Sequence, residues 1–217
     1  MNYEFQAFRS FTAQMYWMDP QPINRKYWRK DRSDEQWEVE GIYQRIGVSN
    51  RLDNSGWLHV GRPAETLNST GEGLYVVNVE LPRFWFGCYQ DDDGRYSYDI
   101  RGAQLDSGGS WPFNNSSLEI SRNGYLGLYY VFADAGADPL IHRMTLWRLE
   151  GFDPSPIFLA EGGFEVGIQL LGPSGKRVGQ SGEEMDEGKG VFNYMKEQKG
   201  DEGGLALKII QVGRAQP

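Results

Sequence analysis

The sequence is short of the side chains on which most active sites are built. Its 217 residues include one cysteine, Cys88, and two histidines, His59 and His142. A lone cysteine forms no intramolecular disulfide, so the fold does not depend on an oxidising compartment. The same scarcity leaves few ligands for a zinc site, and no metal or cofactor is expected. No apolar run approaches the roughly 20 residues that cross a bilayer as a helix. Met1-Asn2-Tyr3-Glu4 lacks the basic and apolar regions of a secretory signal, which makes cytoplasmic synthesis the expectation. Asn68, Asn114 and Asn115 head glycosylation sequons that in this setting read as polar turns. A net charge of -8 is wrong for a chain that coats nucleic acid.

What the chain does have is aromatic and β-branched residues in short runs, closed by 28 glycines, 10 prolines and many Asn and Asp residues. Such runs occupy residues 38–45, 74–79, 83–89, 96–105, 118–120, 125–132, 142–149 and 164–171, with a last one at 205–212. Asp91-Asp92-Asp93-Gly94 and Ser121-Arg122-Asn123-Gly124 separate adjacent runs and read as hairpin turns, where positive φ is needed. Turn signals at this spacing mark an antiparallel β-sandwich or jelly-roll-like barrel rather than alternating βαβ units. Upstream, Phe5, Phe8, Phe11, Met15 and Met18 recur at three- and four-residue spacing, so residues 2–18 read as a short amphipathic helix. An extended arm is the alternative, since Tyr3 to Ala7 also alternates. The organisation is then an N-terminal helix or arm over 1–36, a β core over 37–171, and a glycine-rich loop with a closing strand over 172–217. A helical turn is expected near residues 191–199, behind the capping-box pair Ser181 and Glu184.

Motifs for chemistry fail on inspection. Asp91, Asp93, Ser97 and Asp99 suggest a calcium loop, but Arg95 and Ile100 stand where ligands are needed, and a hairpin tip is favoured. Residues 172–177 resemble the end of a P-loop, yet Leu170 and Arg177 break the pattern. Cys88 lies in a run that is apolar on both faces and reads as a small buried hydrophobe. Among 30 acidic residues nothing singles out a catalytic pair. No catalytic residue is therefore assigned, and the chain is expected not to be an enzyme.

Two features suggest binding. Arg25, Lys26, Tyr27, Trp28, Arg29 and Lys30, with Arg32 close behind, form a basic-aromatic patch that reads first as a solvated connector pairing with Asp31, Asp34 and Glu35, and otherwise as a grip for phosphate, a nucleic-acid backbone or, preferred among these, an acidic neighbouring subunit. Trp57, Trp111 and Trp147, with Tyr96, Tyr98, Tyr125 and Tyr129, are candidates for a sugar-stacking groove. Most rings in a two-sheet protein fill the core, and Trp111, in a Gly-Gly-Ser-Trp-Pro loop, is the best exception. The leading expectation is a non-enzymatic structural protein of a homo- or hetero-oligomeric assembly, a bacteriophage head-decoration, neck or tail component being the concrete version. Residues 1–36 and 172–204 would make its contacts. A carbohydrate- or receptor-binding module is the alternative, and a calycin-like barrel around a small hydrophobic ligand is third.

Overall fold

The computed structural model describes residues 2–18, 43–49, 56–60, 66–67, 73–75, 79–105, 108–129, 144–155, 159–184, 191–197 and 203–213. The described chain is almost entirely antiparallel β-sheet. Its strands are β1 (Tyr3–Phe5), β2 (Phe11–Met18), β3 (Tyr43–Ser49), β4 (Leu58–Val60), β5 (Thr66–Leu67), β6 (Gly73–Tyr75), β7 (Val79–Glu80) and β8 (Pro82–Asp91). They continue with β9 (Tyr96–Leu105), β10 (Ser117–Ile120), β11 (Leu126–Tyr129), β12 (Leu146–Glu150), β13 (Phe164–Leu171), β14 (Val178–Glu184), β15 (Val191–Glu197) and β16 (Gly204–Val212).

Six of these strands close on themselves. β8 pairs β9, β9 pairs β12, β12 pairs β13, β13 pairs β16 and β16 pairs β2. β2 returns to β8 through Phe11↔Phe86, Thr12↔Trp85 and Ala13↔Phe84, completing a ring. Alternation along each strand sends Phe11, Met15, Phe86, Cys88, Tyr98, Ile100, Trp147, Leu149, Ile168, Leu170, Leu207 and Ile209 into one buried cluster. A barrel this narrow is filled by its own side chains. Phe11 stacks on Phe86 at 4.7 Å between centroids, and Tyr98 and Phe152 meet Phe11 edge-on or tilted. These rings occupy the space that a calycin-like ligand would need. Each buried Phe contributes about 1.5–3 kcal/mol, so the packing is a main source of stability.

The remaining sheet grows from the shared strand β2. Its second half leaves β8 and pairs β3 through Tyr16↔Arg45 and Met18↔Tyr43. β3 leads to β4, and β4 to β15 and β14. From the other side, β10 departs from β9 and turns into β11, which is stitched to the β4–β15 layer by the bridges Trp57↔Gly127 and Tyr125↔Lys196. Ile46, Val48, Leu58, Leu118, Leu126, Leu128 and Met195 fill the space between, continuous with the barrel core.

Several expectations hold. The Asp91–Gly94 and Ser121–Gly124 segments are hairpin turns, with Gly94 at φ 79° and Gly124 at φ 84°. Asp91 Oδ1 accepts from the amides of Asp93 and Arg95, which is turn geometry. Residues 164–171 form β13, and residues 172–176 make an exposed turn closed by Gly172 N donating to Lys176 O.

Two helical readings are corrected. Residues 2–18 form β1, a single 3-10 turn at Ala7–Arg9, and β2. Phe11, Ala13, Met15 and Trp17 all point inward at period two, while Thr12 and Gln14 are buried on the opposite face. A strand covered on both sides carries large residues at every spacing, and the helical period is a by-product of that density. Residues 191–197 are likewise strand β15, paired with β14 over seven positions from Val178↔Glu197 to Glu184↔Val191. Hence the segment read as a glycine-rich loop contains a paired hairpin. Among the described residues no helix is long and apolar enough to cross a membrane.

Candidate functional site

Cross-strand register assembles a polar-aromatic band on the face of β9, β10 and β11 that points away from the core. Arg101, Ser117 and Tyr129 lie in one row, and Glu119, Gly127 and Trp57 in the next. Tyr129 leans across Gly127. A Cβ built on that glycine would meet the Tyr129 ring at 2.9 Å, so the ring packs closely on bare backbone. The ring is thereby flanked by Glu119 on one side and Trp57 on the other.

The band is held in place by its own bonds. The Tyr129 oxygen takes hydrogen bonds from the Trp57 indole and the Ser121 hydroxyl, although burial still lifts its pKa above the ordinary phenol value. Trp57 stacks on Tyr125 at 4.5 Å and 18°, and the Lys196 ammonium sits 4.5 Å above the Tyr125 ring. Tyr194 meets Trp57, Tyr125 and His59 edge-on. Trp57, Tyr129, Glu119, Arg101 and Lys196 are all partly exposed, while Tyr125 and Tyr194 are buried beneath them.

An acidic pair borders the aromatics. Asp99 is 2% exposed and bonds Arg101 Nε through Oδ2 at 2.7 Å. Arg101 also donates to Asn115 Oδ1 at 3.2 Å. Asn115 has φ 62°, a conformation that Asn tolerates better than most residues, and its amide is fixed on Gly102 O. Glu119 accepts a 2.5 Å hydrogen bond from Thr145. Burial raises the pKa of both carboxyls; Arg101 draws Asp99 back down and Thr145 does the same for Glu119, whereas Asp99 adds to the rise at Glu119.

The residues singled out from sequence are distributed as follows. Arg25, Lys26, Tyr27, Trp28, Arg29 and Lys30 lie outside the described residues, as does His142. Trp111 is 5% exposed, packed edge-on against Phe113 in the core, with its indole bonded to Glu80. It therefore lacks the free ring face that the loop reading assumed; proline and glycine around a tryptophan mark a turn, not its exposure. Trp147 and Tyr98 are buried in the barrel, whereas Trp57, Tyr125 and Tyr129 do come together. Sequence reasoning missed Glu119, Arg101, Tyr194 and Lys196, whose only signal is a register set by long-range pairing.

Cys88 is buried beside Tyr98, with its amide donating to Ser10 Oγ, and His59 packs on Tyr194 in the other layer. Burial, partly offset by the Tyr98 hydrogen bond and by Arg9, pushes the thiol pKa up to about 11, which suppresses the thiolate needed by a nucleophile.

Aromatic residues are also left outside the core on the segment that precedes β2. Phe8, on the 3-10 turn, is 81% exposed, and Tyr3 and Phe5 on β1 are 41% and 39% exposed. The turn itself is pinned. Gln6 N donates to Cys88 O, Ser10 N donates to Ala7 O, Arg9 lies 5.0 Å above the Tyr96 ring, and its guanidinium donates to Pro154 O. No family model, curated protein or solved structure matches the chain.

Proposed function

We propose that this protein is a non-enzymatic subunit of a larger protein assembly and that Phe8 anchors it in an apolar pocket of a neighbouring subunit. The observation that carries the reading is the combination of an 81% exposed phenylalanine with a turn clamped from both sides. A rigidly presented aromatic loses little entropy on docking, and such residues dominate interface energies. Tyr3 and Phe5, on the strand just before the turn, are also exposed, with Phe5 lying against Trp85 and Tyr89. A net charge of -8 disfavours an anionic membrane or nucleic acid as the partner and leaves a protein pocket. A virion is the setting we favour, as a head-decoration, neck or tail component. The all-β frame and the scarcity of histidine and cysteine support that choice.

The test is a Phe8→Asp substitution, followed by sedimentation velocity and by photo-cross-linking from position 8 in the cells that make the protein. The turn position is exposed, so the variant should melt within a few degrees of the wild type. The wild type should form a discrete oligomer or cross-link to one protein, and the variant should do neither. A wild-type monomer that yields no discrete cross-linked product would refute the proposal.

A further inference from the structure

We infer that the band around Tyr129 is a binding subsite for a neutral saccharide, with one pyranose ring stacked on the tyrosine. This goes beyond the assembly reading and does not depend on it. Tyr129 closes over the bare backbone of Gly127 with its Cε2–Cζ edge nearest, and the residue remains partly exposed. Its hydroxyl oxygen is tied to Trp57 and Ser121, so the ring is oriented before any ligand arrives. An aromatic face fixed in this way suits the C–H face of a pyranose, which is apolar and flat.

The groups framing the ring match the remainder of such a ligand. Glu119 stands opposite Gly127 on β10, and Thr145 holds one of its oxygens; the other oxygen can accept two sugar hydroxyl protons. Arg101 stands in the Tyr129 row and uses Nε on Asp99 and one terminal nitrogen on Asn115, which leaves further N–H donors for hydroxyl oxygens. Carboxylate and guanidinium together present acceptors and donors with little net charge, which favours a polyhydroxylated neutral ring over an anion. Burial of Asp99 beneath Arg101 keeps the guanidinium from swinging away.

The probes are five neutral oligosaccharides: cellopentaose, laminaripentaose, maltopentaose, mannopentaose and N-acetylchitopentaose. Saturation-transfer NMR on the full chain identifies a binder, and calorimetry gives its affinity. At least one should bind with saturation concentrated on ring C–H protons. Tyr129→Ala and Glu119→Gln should each weaken it roughly tenfold or more, the cost of one strong contact of this kind. Glu119→Gln keeps the shape of the side chain and guards against loss of fold in Tyr129→Ala, and near-ultraviolet circular dichroism checks both. Phe8→Asp should bind the sugar as the wild type does, so failure of the assembly proposal would leave this result standing. If none of the five binds at millimolar concentration, or binding survives in a folded Glu119→Gln and Tyr129→Ala alike, the inference is wrong.

Discussion

Replacing Arg101 with methionine should expose how strongly the Asp99 pair depends on its partner. The Asp99 side chain is 3% exposed and that of Arg101 18%, with 2.7 Å between Oδ2 and Nε. Removing one member of a buried pair strands the other charge at a cost of about 3–5 kcal/mol, and the partial exposure of Arg101 places this case near the lower end. The deficit should also follow pH. Asp99 already has a folded pKa above its ordinary value because of burial, with Arg101 pulling it back. A carboxyl raised by folding binds its proton more tightly in the native state. Its contribution is therefore fully present below the unfolded pKa of about 4 and is lost as pH rises through the folded pKa. Without Arg101 the folded pKa climbs further, so the loss should extend to higher pH and be largest near neutrality. Urea titrations between about pH 4 and pH 8 measure this directly. Adding Asp99→Asn to Arg101→Met should recover much of the loss at neutral pH, since no charge is then left behind. A deficit below about 1 kcal/mol, or one that is the same at every pH, would refute the reasoning.

Two further substitutions or treatments follow from the packing. Gly87→Ala places a Cβ 2.2 Å from the Trp85 ring, which is 1% exposed and lies against Phe5; destabilisation of about 1–3 kcal/mol is expected in thermal melts, with partial recovery when Trp85→Leu is added. Cys88, with its buried thiol raised to about 11, should resist a disulfide reagent at neutral pH in the native protein and react fully in urea; rapid native labelling would contradict the placement.

The parts of the fold legible in the sequence are those written locally. Asp-Gly and Asn-Gly pairs announce the turns at Gly94 and Gly124, because positive φ is a property of one or two residues. Residues 164–171 and 205–212 stand out because β-branched and aliphatic residues accumulate there. β2 was not legible as a strand. Its apolar residues satisfy both periods, and only its neighbours β16, β8 and β3 decide between them. The candidate site shows the same division. Trp57, Tyr125 and Tyr129 were visible as aromatics, but their meeting depends on two isolated bridges between distant segments. Trp111 was misplaced for a related reason: besides Phe113 its ring closes over Gly102 and its indole bonds Glu80, two distant partners of which local composition carries no sign.

The pairing of β2 with β16 bears on how the molecule is made. Phe11 lies against Val212 and Met18 against Gly204, so a strand translated first must wait for one translated nearly two hundred residues later. Until then, on the ribosome, both β2 and β13 carry open edges rich in apolar side chains, an invitation to pair with other chains. Late ring closure of this kind is slow, because the entropy of the long loop is spent before the contacts form. A nascent chain stalled before residue 204 should therefore bind chaperones and remain open to protease, and release of the last strand should convert it to the closed form in a single cooperative step.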